Sequence, residues 1–222
     1  MRKFFVAVNL LFILLGGCAQ LPEYGRPRII THEQELGTLD GFGYRQLARK
    51  DFKAISPSTD STEQNSHLQA RSCIKIILAA GIKVDIVQGM IHGKEVYAGK
   101  ASEVRFEARF LPHCSWWNPK DSVKRTAYVL QHEQIHFAIA ELEARKLSKR
   151  VDGEMPEYFA FGDSVEEVQQ ELSKTIQKDT QKSTQDGLEE HLKFDNETSM
   201  FFAPYVQRKW LEKVESKLAE YQ

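Results

Sequence analysis

Leu130-Gln131-His132-Glu133-Gln134-Ile135-His136-Phe137 lies where the hydrophobic period of the chain has changed from two to about 3.6. Around it Val123, Ala127, Leu130, Ile135, Ile139 and Leu142 recur at helical spacing. Asp121 or Ser122 can N-cap this run, and Gly153 and Pro156 can stop it, so a long helix is predicted to about Lys149. The fourth residue along such a helix returns about 40° round and one turn on, which puts His132 and His136 on one face. Two neutral imidazoles so placed can hold one Zn²⁺ at about 2.0–2.1 Å. Glu133 is turned about 100° from His132, close to the ion but poorly aimed to ligate it. That placement suits a general base acting on water beside the metal, while Zn²⁺ polarises a scissile carbonyl. The chain's composition would produce an H-E-x-x-H match about 0.03 times by chance. The competing explanation is an exposed helix with two incidental histidines, and the apolar flanks with no breaker nearby argue against it.

Upstream the pattern alternates. Val104, Phe106, Ala108 and Phe110 interleave with Glu103, Arg105, Glu107 and Arg109, the mark of a half-buried strand. Ile74 and Ile76, then Val84, Ile86 and Val96, mark earlier strands broken at Gly81, Gly89 and Gly93, and together they predict a small antiparallel sheet. A polar loop around Pro57 precedes it. Downstream, a second helix is predicted from about Asp163. Asp163–Glu166 or Ser164–Glu167 could be its capping box, and Val165, Val168, Leu172 and Ile176 its buried stripe, with an interruption expected at Gly187. After Pro204 a last helix carries Val206, Trp210, Val214 and Leu218. The fold class is therefore α+β: residues 46–118 mainly β, residues 119–222 mainly α, in one domain.

The first residues read as an address. Arg2 and Lys3 precede the apolar run Phe4–Leu15, too short for a span that needs roughly 20 residues. It fits the apolar region of a signal peptide. Leu15-Gly16-Gly17-Cys18 resembles a bacterial lipobox, which implies cleavage after residue 17 and a diacylated Cys18. With Ala19 rather than Asp after the cysteine, anchoring in an outer membrane facing the periplasm is expected. Residues 18–45, rich in Pro and Gly, read as a tether. Thirty basic against 31 acidic residues leave no footprint for a nucleic-acid backbone, and a mean hydropathy of -0.45 excludes a multi-span membrane protein. Three cysteines cannot build a disulfide scaffold or a four-cysteine zinc site. Cys73 and Cys114 lie near predicted strands and could pair in an oxidising compartment, although the alternation at Ile74 and Ile76 could turn Cys73 away.

A resemblance adds to these residues. The segment 130–137, continuing through Ala140-Glu141 and Ala144-Arg145, is similar to the bacterial "domain of unknown function 922" family of secreted zinc peptidases. Asp51-Phe52-Lys53, the strand from Phe106 to Ser115-Trp116, Phe194-Asp195-Asn196-Glu197-Thr198, and Gln207 with Trp210 resemble its other motifs in order. The likeness covers about 46–215. Two positions depart from it: Phe194 replaces a tyrosine, and Met200-Phe201 stand where that family usually has His-Gly. The resemblance implies a zincin-like helical half and hydrolysis of a peptide or protein substrate.

Catalytic zinc takes three protein ligands, and the helix supplies two. Glu166, Glu167, Glu190, His191, Asp195 and Glu197 are chemically able to be the third. Asp195 is favoured because it stands in the stretch that resembles the family motif, where the Thr198 hydroxyl could hold it. The plainer alternative is that Asp195 and Thr198 brace a helix. Met200 would be a poor substitute for a histidine ligand. His32, His67, His92 and His113 read as structural or surface residues, Trp116 and Trp117 as core, and Glu141 and Glu143 as solvated or supporting. The expected function is a lipid-anchored zinc peptidase with ligands His132, His136 and Asp195 and base Glu133. The alternative is a non-catalytic envelope lipoprotein acting as scaffold or partner-binding module. A third possibility, an amidase acting on peptidoglycan peptides, uses the same site.

Overall fold

The computed structural model describes residues 28–33, 40–57, 68–79, 83–119, 125–153, 158–199 and 202–221. The lipobox with Cys18, the capping residues Asp121 and Ser122, and Met200-Phe201 lie outside them. In chain order the elements are β1 (Arg28–Glu33), β2 (Ala70–Arg71), β3 (Ile74–Leu78), β4 (Lys83–Ile91), β5 (Lys94–Ser102), β6 (Phe106–Phe110) and β7 (Trp116–Trp117). Then come α1 (Thr126–Gly153), β8 (Tyr158–Gly162), α2 (Val165–Thr198) and α3 (Pro204–Glu220). The architecture is α+β, with antiparallel strands followed by helices.

The strands do not form one sheet. β1-β4-β5-β8 make a four-stranded antiparallel sheet, while β3–β6 and β2–β7 are separate two-stranded ladders. β4 and β5 are joined by the two-residue turn His92-Gly93. Both residues have positive φ, 51° and 81°, the backbone that a tight hairpin turn requires and that Gly93 adopts without a Cβ penalty. Two sheet elements differ from the sequence expectation. β1 lies within the stretch expected to be a tether, and pairs with β4 in register Arg28↔Gln88 to Glu33↔Lys83. Phe42, also in that stretch, exchanges two backbone hydrogen bonds with Phe110. β8 follows α1 where no strand was expected. Both are short apolar runs among Gly, Pro and charged residues, and their stability comes from pairing with β4 and β5 rather than from a long alternation.

α1 is the axis of the molecule. Val129, Ile135, Phe137, Ala138, Ile139, Ala140, Leu142, Ala144, Leu147 and Val151 are buried, so apolar residues face outward all round rather than along one stripe. Its final turns, with Ala144, Leu147 and Val151, pack on Ile86, Ala101, Tyr158, Val168 and Leu172. Its middle meets Phe52, Phe110 and Trp117 through Phe137 and Ala140. A third face, with Ile135, Ala138, Ile139 and Leu142, meets Phe194, Trp210, Val214 and Leu218.

α2 begins as the Ser164–Glu167 alternative expects, with Ser164 Oγ accepting from Glu167 N at 3.2 Å. It then runs unbroken for 34 residues, so the interruption expected at Gly187 does not occur. Gly187 is instead a contact point: a Cβ there would lie 3.0 Å from Glu143 Cγ, and the missing side chain lets α2 close on α1. α3 buries Trp210, Val214 and Leu218, as the four-residue spacing predicts.

Candidate metal centre

The packing of α2 against α1 brings two histidine-bearing surfaces together. His191, Asp195 and Thr198 recur at i, i+4 and i+7, so they share the face of α2 that meets His132 and His136. Phe194 fills the wall beside them. It is fully buried, stacks on His132 at 4.5 Å between centroids and meets His136 edge-on at 5.0 Å. Phe194 therefore serves as an apolar plate behind both imidazoles.

Three atoms converge. His132 Nε2 and His136 Nε2 are 3.1 Å apart, and Asp195 Oδ1 lies 3.1 Å from the first and 3.0 Å from the second. Two bonds of about 2.0–2.1 Å at a tetrahedral angle would separate donor atoms by about 3.3 Å, so this triangle has the size of one face of a zinc coordination shell. Among the described residues these three are the group able to hold a metal ion. The donor set, two imidazoles and a carboxylate, is also the chemistry that zinc takes at hydrolytic sites.

The hydrogen bonds behind the triangle leave the right lone pairs facing it. Thr198 Oγ1 donates to Phe194 O at 2.7 Å, so toward His132 Nδ1, at 3.3 Å, it can only accept. His132 then carries its proton on Nδ1 and turns a bare Nε2 to the centre. Thr198 was expected to hold Asp195, but its partner is His132. His136 Nδ1 is 2.8 Å from His191 Nδ1. With its Nε2 bare toward a metal, His136 donates from Nδ1 and His191 Nδ1 accepts. Burial, helped by the nearby His136, pushes the His191 pKa down to about 4, so it stays a neutral acceptor. When Nε2–H protons rather than a metal face Asp195, burial opposes charge on its carboxyl, yet hydrogen bonding from His132 and His136 outweighs burial and holds the pKa far below its ordinary range. A metal would displace those protons and leave both Nε2 bare. Burial also opposes charge on His136, and Asp195 with Glu133 outweighs it, raising that pKa. The centre is thus built around an ionised carboxylate and favours positive charge.

Glu133 is buried at the same place and accepts from Ser72 Oγ at 2.5 Å. A cavity of about 650 Å³ opens on Glu133, His132, His136, His191 and Asp195, with Leu68, Ile74, Ile76 and Leu188 among its apolar walls. The other candidates for third ligand are engaged elsewhere or lie outside the group. Glu197 accepts from Trp210 Nε1 at 2.7 Å, Glu190 pairs with Lys213 at 3.1 Å, and Glu167 closes the cap of α2 by accepting from Asp163 N. Glu166 stands in the first turn of α2, far along the helix from Asp195. Glu141 is not solvated: it is buried and accepts from Ala108 N and Arg145 Nε, bracing α1 on β6. Glu143 is buried too, paired with Lys146 and packed on Gly187. Cys73 and Cys114 are joined by a disulfide with Cα atoms 5.7 Å apart. His191 and Thr198 are both legible in the sequence, His191 as a candidate ligand and Thr198 as a support for Asp195; their partners are instead His136 and His132. Ser72 had no local signal, since it reaches Glu133 across 61 positions of sequence.

Comparison with protein-family models, with curated proteins and with solved structures finds no match to this chain.

Proposed function

We propose that this chain is a zinc-dependent hydrolase of peptide bonds, held to a cell-envelope membrane by lipid on Cys18. The observation that carries the reading is the convergence of His132 Nε2, His136 Nε2 and Asp195 Oδ1 within 3.1 Å of one another, on a cavity that also holds Glu133. These residues fit zinc in number, type and separation. A zinc ion held by them would supply Lewis-acid polarisation of a carbonyl and acidify water. Glu133 takes the proton of the attacking water on its carboxylate and returns it to the leaving amine. Ser72 Oγ fixes that carboxylate through Oε2. Thr198 and His191 hold the two imidazoles in the tautomer that keeps Nε2 available. The apolar walls at Leu68, Ile74, Ile76 and Leu188 suit a peptide with an apolar side chain near the cleaved bond.

The Cys73–Cys114 disulfide suits an oxidising envelope compartment, in line with the signal sequence. No helix among the described residues is long and apolar enough to cross a membrane. The test is metal content together with hydrolysis. Wild type is expected to carry one zinc per chain and to cleave unfolded protein. His132→Ala and His136→Ala should lose the metal, whereas Glu133→Gln should keep it and lose turnover by about 100-fold or more. Wild type purified without chelators and lacking zinc would overturn the enzyme reading. Bound zinc with no turnover on protein or on peptidoglycan peptides would favour the scaffold alternative.

A further inference from the structure

The four-stranded sheet covers α2 with one face and leaves the other without a protein partner among the described residues. β8 shows the division: Tyr158 and Ala160 are buried, while Phe159 and Phe161 are 55% and 60% exposed and pack edge-to-face at 4.8 Å. Register extends the outer face across the sheet. Phe161 lies beside Ala98, which lies beside Val87, and one step nearer the hairpin Val96 lies beside Gly89. Ile91, two residues on from Gly89, ends the same face at 53% exposure with Lys94 across from it, while Met90, 63% exposed, lies on the opposite face. In the other direction the row Phe159, Lys100, Asp85 turns polar. The exposed apolar surface of this face thus runs from Phe159 and Phe161 toward the β4–β5 hairpin end, where Ile91 stands beside Lys94.

That end is also where the chain enters. Arg28 pairs with Gln88, so β1 begins beside the hairpin and runs away from it. Nine residues separate Cys18 from Arg28, a reach of about 30 Å at full extension. We infer that this hairpin end of the sheet, through Ile91 and Phe161, docks into the interface of the bilayer that holds the lipid on Cys18. The inference rests on the lipid anchor proposed above. Anchor and apolar patch at one end of one sheet would act as two weak membrane signals that together hold the domain in one orientation. α2 then separates the patch from the chemistry. From Val168, which packs on the sheet at Gly99, to Asp195 is about 40 Å along the helix. The cavity is carried away from the lipid surface.

Spin labels can test this in the full-length processed protein, because its cysteines leave no free thiol: Cys73 and Cys114 are bonded to each other, and acylation consumes Cys18. The wild-type chain, Ile91→Cys, Phe161→Cys and the α2 control Lys178→Cys are treated with a nitroxide thiol reagent. They are then reconstituted in vesicles of phosphatidylethanolamine with phosphatidylglycerol. Labels at 91 and 161 are expected to lose collisions with an aqueous nickel chelate and gain collisions with oxygen, while the label at 178 does neither. Labels at 91 and 161 as water-accessible as that at 178, on protein that floats with the vesicles, would overturn the docking and leave the anchor standing. Dipolar broadening between labels at 91, undiluted by excess vesicles, would assign the patch to a second copy and also overturn it. A wild-type chain that accepts label at Cys18 and does not float would overturn the anchor. With it would fall the docking, unless the labels at 91 and 161 still partition into lipid.

Discussion

At His132 the tautomer is decided by a hydroxyl whose proton is already committed. Thr198 donates to Phe194 O, accepts from His132 Nδ1–H, and is 1% exposed, so water cannot replace it. Thr198→Val keeps the shape and removes the acceptor. It should lower zinc affinity by about 10–100-fold, read by competition with a chromophoric chelator, whereas Thr198→Ser should stay near wild type. If Thr198→Val binds as tightly as wild type, the tautomer is set by something else. Asp51 makes a different kind of prediction. Its carboxylate takes paired hydrogen bonds from Arg45 and one from Ala48 N, and the Arg45 bonds, against burial, hold its pKa below the ordinary value. A lowered pKa contributes stability at pH above the ordinary carboxyl range, and that stability is lost as pH falls through the folded value. Arg45 is half exposed, which discounts the pair, so Asp51→Asn should cost about 1–2 kcal/mol at neutral pH. The gap from wild type should close in urea unfolding below about pH 3. At this scale the sequence carried His132, Glu133 and His136 plainly, because their geometry is fixed within one helical turn. Asp195 needed a tertiary contact, and Ser72 depended wholly on one.

Between elements, α2 sits tightly over β5 at Gly99. A Cβ on Gly99 would lie 2.2 Å from Val168 Cγ1 and 3.4 Å from Leu172 Cδ1, a contact that cannot exist. Gly99→Ala must push α2 off the sheet, and overpacking of this kind costs about 1–3 kcal/mol. The consequence should travel. α2 carries Asp195 at its other end, so a displaced helix should also weaken zinc binding, measurable beside the loss in melting temperature. A destabilised variant with unchanged affinity would show that the two ends of α2 are mechanically independent. The same element explains what sequence could and could not show. The stripe Val165, Val168, Leu172 and Ile176 announced a helix, but Gly187 read as a break because its neighbour Glu143 lies 44 positions away. The strands Ile74–Leu78 and Phe106–Phe110 were legible from alternation. β1 and β8 were not, since an edge strand of five or six residues takes its stability from a partner its own sequence does not name.

Across the whole molecule, the disulfide joins the strand half to the wall of the candidate metal centre. Cys73 is adjacent to Ser72, which donates to Glu133, and Cys73 N donates to Ser115 Oγ, next to Cys114. Three chain segments distant in sequence therefore meet at one corner: the entry to β3, the turn after β6, and Glu133 on α1. Closing a loop of 41 positions stabilises a fold by about 4 kcal/mol in the chain-entropy treatment. A pair of substitutions, Cys73→Ser with Cys114→Ser, should remove most of that, seen as a lower urea midpoint with a steeper slope, because the unfolded chain without the cross-link exposes more surface. Stability and chemistry should then separate. The proposed zinc ligands sit on α1 and α2, which the disulfide does not touch, so metal content of the surviving folded protein should stay at the wild-type level. Turnover should fall, because Ser72 loses the cross-link that fixes it against Glu133. Reduction of wild type with a thiol should reproduce both effects, and reoxidation should reverse them. If reduced protein loses stability but hydrolyses at the wild-type rate, Ser72 is held by β3 and its ladder with β6 alone.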